Sequence, residues 1–429
     1  MRRFSPLFRF FEIAVSTLFH GVRLVCRWLG SRLLGRRVSP RALLGEELRA
    51  LCERLGATFI KLGQVLSSRP DLLSPELTAP LARLQDDVAP FAHAEREIER
   101  VFGRPLAELF EHFESEPAAS ASIAQVHRAR LHDGRKVAVK IRRPGISRRV
   151  EDDFRMMHAF ARWLGALPPM RLVPMGELIA ELEAPIRQQL DFYREVASLE
   201  RFRANFDGVE HVTLPVPVPE LCRASVLTME LLEDLEKVTS ARFTGDERRT
   251  AALAGLRALY KMIFVDGFIH ADMHPGNVFL RQWGELVILD MGLVAELSED
   301  DLQNFVDFFF GLVNNQGEIC ARIVYDTALY VSPRCDREQF EAAIVEMVGR
   351  HSALKSHEFE VTHFVYELIE TQRRHGIRGS TQFIMTVLSM VVYDGICKLL
   401  YPECEFQKEA RGYLIAAKYR RHQRLAIAV

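Results

Sequence analysis

The chain has 429 residues, 48% hydrophobic and 26% charged, with a formal net charge of −1. This is ordinary globular composition, long enough for two or three lobes, and it excludes a disordered or fibrous chain. The near-zero net charge lacks the positive field of a general nucleic-acid binder, so no nucleic-acid partner is expected. Seven cysteines are scattered at 26, 52, 222, 320, 335, 397 and 404, with no C-x-x-C pair. That usage points to a reducing compartment without a disulfide framework or a cysteine zinc site.

The first 41 residues contain nine Arg and one acid, Glu12. Among the arginines lie Phe4, Leu7, Phe8, Phe11, Ile13, Leu18, Phe19, Val22, Leu24, Val25 and Trp28. The longest uncharged run there, Ile13 to Val22, is too short to span a bilayer. Residues 4–30 therefore read either as a basic helix lying in an anionic membrane surface or as a helix packed on the protein itself. No stretch of 18 uncharged apolar residues occurs anywhere in the chain.

From Leu43 to Leu62, apolar residues recur at three- and four-residue spacing, which predicts helix over 40–115, punctuated by Pro70, Pro75, Pro80 and Pro90. The alternation in Ser122–Ala129, the Asp133-Gly134 turn and the run Lys136–Ile141 predict a β-hairpin. Residues 150–205 read as helix broken at Pro168-Pro169, Pro174 and Pro185. A loop at Pro215, Pro217 and Pro219 leads to a strand over Ser225–Leu231, and helix dominates from about 245. The exception is a strand pair flanking Trp283-Gly284-Glu285. There is no internal repeat.

The chemistry concentrates in three places. Lys140 ends the strand Val137-Ala138-Val139, where an ammonium can pair with nucleotide phosphates. His270-Ala271-Asp272-Met273-His274-Pro275-Gly276-Asn277 places an Asn five residues after an Asp. At that spacing the Asp accepts or orients the proton of an attacking hydroxyl or water, and the Asn ligates Mg²⁺. A zinc reading of His270 and His274 needs a regular helix, and Pro275-Gly276 argues for a loop. The apolar run Leu286–Leu289 then ends in Asp290-Met291-Gly292, where a carboxylate can reach a phosphate-bridging metal. Singly these signals are weak; in this order they point to an ATP- and Mg²⁺-binding kinase-like protein.

At these residues the chain resembles the UbiB/AarF/ADCK group of atypical kinase-like proteins. It has the K-x-G-Q motif as Lys61-Leu62-Gly63-Gln64, followed by Ser67-Ser68-Arg69-Pro70-Asp71. An alanine-rich run, Pro117–His127, replaces a glycine-rich loop, and the catalytic loop reads H-A-D-x-H-P-G-N. Gln189-Leu190-Asp191 and Glu195 lie where the family has E-x-D and then E-A-x-x. Departures are Gln189 for the usual Glu, Val196 and Ser198 in E-A-x-N, Ser120 within the alanine run, and Met291 for Phe.

The resemblance implies an α+β, protein-kinase-like two-lobed fold, a small mixed-sheet lobe and a helical lobe with a helical N-terminal extension. The divisions expected are 1–40, 41–115, 116–235 and 236–429. Asp272 and Lys140 are then catalytic. Ala119, Ser120, Ala121, Ser122, Ile123, Lys140, Glu195 and Glu230 bind nucleotide, and Asn277 and Asp290 bind the metal. Lys61, Gln64, Gln189 and Asp191 belong to a family-specific cover over the cleft. The cofactors are ATP and Mg²⁺, and the implied role is support of ubiquinone biosynthesis or lipid homeostasis, with a quinone-precursor or lipid ligand. Bacterial ubiquinone-linked members end in spanning segments, whereas this chain ends in a basic cluster, Lys418–Arg424. The expected location is cytoplasmic, with peripheral contact on the inner face of the cell membrane through residues 4–30. A homodimer is left open. Two alternatives stay open, a small-molecule phosphotransferase and a non-catalytic nucleotide-binding regulator.

Overall fold

A computed structural model describes residues 6–35, 38–69, 72–84, 88–165, 175–240, 242–354 and 359–427. The chain begins with α1 (Pro6–Leu33), α2 (Pro40–Leu55), α3 (Ala57–Ser67), α4 (Pro75–Leu81), α5 (Ala94–Phe102) and α6 (Leu106–Leu109). Next come β1 (His112–Phe113), β2 (Ala119–Ser120), β3 (Ala124–Arg130), β4 (Lys136–Arg142), α7 (Ile146–Gly165), α8 (Met175–Gln188) and α9 (Phe192–Asn205). There follow β5 (Val212–Thr213), β6 (Val226–Glu230), β7 (Glu236–Lys237), α10 (Gly245–Lys261), β8 (Phe268–His270), β9 (Val278–Arg281), β10 (Glu285–Ile288) and β11 (Val294–Glu296). The chain closes with α11 (Glu299–Val313), α12 (Gly317–Asp326), β12 (Ala328–Val331), α13 (Arg337–Ser352), α14 (Val361–Arg374), β13 (Ile377–Gly379), α15 (Thr381–Leu400) and α16 (Phe406–Ile427).

Two compact units result. The first is Met1–Val196 with Val216–Leu231; the second is Ala197–Pro215 with Leu232–Val429. The segment 197–215 joins the second unit because β5 pairs in parallel with β10, Val212 opposite Leu286. Residue patterning cannot announce a two-residue strand.

In the first unit an antiparallel sheet runs β1-β3-β4-β6, with β2 also paired to β3. The hairpin forms where the alternation predicts it, with Val126 opposite Lys140 and Lys140 opposite Leu227 on β6. Gly134 supplies the positive φ, 87°, that the turn requires. Val137, Val139 and Ile141 point into a core shared with Ile98, Leu109 and Phe110. The α2–α3 corner is made at Gly56, whose φ of 85° also favours glycine. Pro185 does not break the helix there: α8 continues through it to Gln188. The expected breaks at Pro168-Pro169 and Pro174 lie outside the described residues.

Helix α1 is inverted in polarity. It buries Arg9, Ser16 and His20, while Leu7, Phe8, Phe10, Phe11, Val15 and Leu18 are each 55% exposed or more. Arg9 grips Asp153 on α7 with a two-pronged fork, Nε to Oδ1 at 2.7 Å and Nη2 to Oδ2 at 3.0 Å. Nη2 also donates to the carbonyl of Leu55, 3.0 Å away, at the end of α2. Further along, His20 Nδ1 donates to Glu47 Oε2 at 2.8 Å and Arg27 Nη1 to Oε1 at 2.6 Å. Burial pushes the Glu47 carboxyl upward, but the bonds from Arg27 and His20 prevail and hold it below its ordinary range. Of the two readings of this segment, the structure shows the helix packed on its own unit, and it does so through its polar face.

The second unit is mostly helical. Phe305, Phe308, Phe364 and Tyr393 are fully buried in its core. Its strands form a small sheet in the order β5-β10-β9-β7 and two pairs, β8–β11 and β12–β13. Sequence reading finds β9 and β10 and misses the pairs, whose strands are three or four residues long. Helix α15 is long and apolar enough to cross a membrane, with mean hydropathy 1.8, but 61% of that stretch is buried in the protein. Tyr393 in it donates to the carbonyl of Ala252, on α10, at 3.2 Å. It is therefore a core helix of this unit by its packing.

Arg9→Ala leaves Asp153, which is 0% exposed, without its fork. Removing one partner of a buried pair costs about 3–5 kcal/mol. Urea unfolding should therefore show a lower midpoint than wild type, and an unchanged midpoint would contradict the clamp.

Candidate active site

In the first unit, Lys140 and Glu195 meet. Nζ donates to Oε1 at 2.7 Å and to Oε2 at 3.0 Å, and the side chains are only 11% and 3% exposed. Strand β4 supplies the lysine and the first turn of α9 supplies the glutamate. The ammonium also lies 5.3 Å from the Phe192 ring centroid. This pair fixes a cation at one place, which a solvated lysine cannot do. Such burial is strongly unfavourable unless both charges are present.

The alanine-rich loop is a second tight turn. Ala118 N–H donates to the carbonyl of Val126 at 2.8 Å and Ala121 N–H to that of Ala124 at 2.7 Å. Those two amides are committed to the ladder. Arg143 buttresses the loop, with Nε donating to the carbonyl of Ala121 at 2.8 Å and Nη2 to Ser120 Oγ and the Ala89 carbonyl at 2.9 Å each. Ser120, which interrupts the alanine run, donates its Oγ–H to the carbonyl of Val88 at 2.6 Å. Ser122 and Ile123 are buried at the entrance to β3, and Glu230 ends β6, its N–H bound to the carbonyl of Val216 at 2.7 Å. Sequence reasoning missed Arg143; the only signal was a charge following an apolar strand.

Beneath the loop, His127 is fully buried against Phe113. Its Nδ1–H donates to the carbonyl of Glu114 at 2.8 Å, so Nε2 accepts from Gln125, 2.7 Å away. Burial pushes the His127 pKa below its ordinary value, outweighing that bond and the charges of Glu95 and Glu114.

The K-x-G-Q motif lies on α3. A Cβ on Gly63 would come within 2.3 Å of Leu84 Cδ1 and 3.2 Å of Cys52 Sγ, so the helix packs this closely only with glycine. Gln64 Nε2 donates to the carbonyl of Leu84 at 3.3 Å. Lys61 is half-buried on the same helix. Asp191 caps α9, its Oδ1 accepting from Tyr193 N–H at 3.1 Å. Gln189 is half-buried in the turn before it.

In the second unit, His270 ties the loop from Asp272 to Asn277 to the Asp-x-Gly turn. It ends β8 opposite Val294 of β11 and is 0% exposed. Its Nε2–H donates to the carbonyl of Asp290, so Nδ1 accepts from the N–H of Asp272, 3.1 Å away. One neutral ring thus holds the backbones of both carboxylate residues. Burial keeps it neutral, pushing its pKa down against the charges of Asp272 and Asp290. Asn277 Nδ2 donates to the carbonyl of Asp272 at 2.9 Å, and the carbonyl of Asn277 accepts from Leu289 N–H at 3.0 Å. Gly292 N–H donates to Asp290 Oδ1 at 2.8 Å. His274 turns inward on its own loop, Nδ1 accepting from Gly276 N–H at 2.9 Å, as a loop reading requires. Asp272, Asn277 and Asp290 are thus brought together, and the donors suited to metal are oxygens, which fit Mg²⁺.

With this geometry in view, comparison with known proteins is specific. The description "ABC1 atypical kinase-like domain" fits residues 83–324, more than half of the chain. The probable protein kinase UbiB of Sodalis glossinidius is 33% identical over 382 residues, 87% of this chain and 70% of that protein. That of Edwardsiella ictaluri is 34% identical over 382 residues, 86% of this chain and 70% of its own length. The structure of Rv3197 with erythromycin from Mycobacterium tuberculosis superposes with a TM-score of 0.56 at 20% identity, covering 81% of this chain and 90% of that one. This chain belongs to the ABC1 atypical kinase-like family, and its fold is the α+β kinase-like fold.

Because His127 is neutral and buried when folded, the unfolded chain binds its proton first as pH falls. Stability is therefore kept above about pH 6.5 and lost below it. Thermal midpoints measured from pH 8 to pH 5 should fall below that point, and less steeply in His127→Gln. Equal slopes in the two proteins would remove His127 as a source.

Proposed function

We propose that this protein is an ATP-binding, Mg²⁺-dependent atypical kinase or ATPase that supports ubiquinone biosynthesis or lipid homeostasis at a membrane. The observation that carries the reading is the single buried imidazole of His270 holding Asp272 and Asp290 at once. Asp272, its carboxylate partly exposed, accepts or orients the proton of the attacking hydroxyl or water. Asn277 has its amide nitrogen on Asp272, which leaves Oδ1 as the metal ligand beside the Asp290 carboxylate. Bound magnesium supplies charge neutralisation on the phosphates. Lys140 holds phosphate oxygens and Glu195 positions it. Residues 119–123 cover the nucleotide and Glu230 contacts it. Lys61, Gln64, Gln189 and Asp191 belong to the segment that restricts which acceptor enters. The ubiquinone role draws support from the relatives named UbiB and from the K-x-G-Q motif.

Asp290→Asn should weaken Mg-ATP binding, read as a smaller ATP-dependent thermal shift. Asp272→Asn should retain the shift and lower turnover by about 10²- to 10⁴-fold. Equal shifts in wild type and Asp290→Asn would refute the metal role. Quinone content in cells lacking the gene, complemented by wild type or Asp290→Asn, tests the pathway.

The outward face of α1 favours peripheral contact with a lipid surface. Exposed Phe, Leu and Val recur along the 28-residue helix, from Leu7 to Leu33, and Arg32 and Arg41 are exposed nearby in sequence. A bilayer interface receives apolar bulk and attracts such cations. Phe11→Glu with Leu18→Glu should reduce co-sedimentation with phosphatidylglycerol vesicles at least tenfold. Unchanged binding refutes this reading. A dimer in lipid-free buffer that the same substitutions dissociate would assign the face to a second copy instead.

A further inference from the structure

Away from the kinase-like motifs, three side chains converge where α13 ends and α14 begins. His351 closes α13 and is 3% exposed, its ring edge-on to Phe359 and Phe364. His363 and Glu367 stand one turn apart on α14, at i and i+4, so they share a helix face. One ligand atom from each of the three lies within 4.8 Å of the other two. His351 Nε2 donates to Glu367 Oε2 at 2.8 Å. Arg350 takes the other oxygen, Oε1.

An ordinary ion pair accounts for only part of this. Glu367 is already neutralised by Arg350, which also holds Glu346 at 2.6 Å. A second cationic partner is not needed for charge balance, and a third group, His363, is not needed at all. His351 also has only one nitrogen engaged: Nδ1 has no hydrogen-bond partner among the described residues, and Nε2 alone faces the cluster. A ring held in an apolar wall, facing a carboxylate fixed from behind by an arginine, is the arrangement of a metal ligand whose neighbours are oriented by outer groups.

We infer that His351, His363 and Glu367 bind one divalent transition-metal ion of the zinc type. Two imidazoles and a carboxylate suit zinc and its neighbours, whereas magnesium prefers oxygen alone. Zinc bonds near 2.1 Å place tetrahedral ligand atoms about 3.4 Å apart, so His351 and Glu367 separate slightly and exposed His363 closes in. The ion binds Nε2 in place of its proton, which moves to Nδ1 if the ring is neutral or leaves to solvent if it is imidazolium, and Arg350 remains on Oε1. Three protein ligands leave a fourth position for water, on the side of His363, which is exposed. The ion clasps the end of α13 to α14, and it is chemically distinct from the oxygen donors of Asn277 and Asp290.

The test uses the full-length, tag-free protein after chelator treatment, titrated with Zn²⁺ against a chromophoric chelator and separately with Co²⁺. Wild type should take up one equivalent, show the visible absorption of low-symmetry Co²⁺, and gain thermal stability with Zn²⁺. His363→Ala and Glu367→Gln should each weaken binding at least tenfold. His363 is exposed, so its replacement leaves folding intact, which a wild-type-like melting midpoint without metal would verify. Millimolar Mg²⁺ should not compete. Absence of stoichiometric binding in wild type overturns the inference. So does binding equally tight in both variants, which would place the ion on other groups such as the cysteines.

Discussion

A histidine buried with both ring nitrogens engaged has one stable state, the neutral tautomer that donates on one side and accepts on the other. His270 is in that position, and the site in the second unit depends on it. Its acceptor nitrogen takes the Asp272 amide and its donor takes the Asp290 carbonyl. Two carboxylate residues on separate loops, Asp272 and Asp290, therefore share one rigid reference point. Asn277 adds the cross-links, to Asp272 through its side chain and to Leu289 through its carbonyl. The charges of the two aspartates act to protonate the ring, and burial prevents it.

The first unit solves a related problem with cations. Lys140, Arg143 and Arg9 are each drawn out of water and matched to acceptors in fixed geometry. For Lys140 the match is a carboxylate, which keeps the ammonium aimed. For Arg143 the acceptors are the carbonyl of Ala121 and the hydroxyl of Ser120, so the alanine-rich loop is braced from below. Alanine limits the backbone conformations available to that loop, and the ladder bonds of Ala118 and Ala121 remove two amides that a glycine-rich loop would offer to phosphate. Restricted backbone and external bracing act in the same direction, toward a stiff loop. Arg9 uses the same chemistry for anchorage. It turns α1 so that its polar face meets the body and its apolar face is left outward.

Part of this was legible in the residues. The order Lys140, Asp272, Asn277, Asp290 carries the kinase-like chemistry because each role demands a residue type at a set distance along the chain. K-x-G-Q and the alanine run narrow it to one family. The hairpin of β3 and β4 follows from period-two alternation and Asp133-Gly134, since strand period and turn chemistry are local properties. Helix α1 was legible as an amphipathic helix from its spacing of Phe and Leu, but which face would meet the protein was not. That depends on Asp153 and Glu47, 144 and 27 residues away from Arg9 and His20.

What the sequence alone determined, then, is the inventory: the family, the acid-base and metal-suited residues, and the elements whose periodicity is local. The tertiary structure decided everything that requires two distant groups to share one space. It set Leu84 and Cys52 against Gly63, so that an added Cβ would require the Leu84 side chain to move. It turned His270 and His127 into neutral pins and Arg143 into a brace. It set His351 beside His363 and Glu367. The physical reason is the same in each case. Burial makes an unpaired polar group costly, so its role is set by whichever partner the folded chain brings within about 3 Å, and that partner is not a neighbour in sequence.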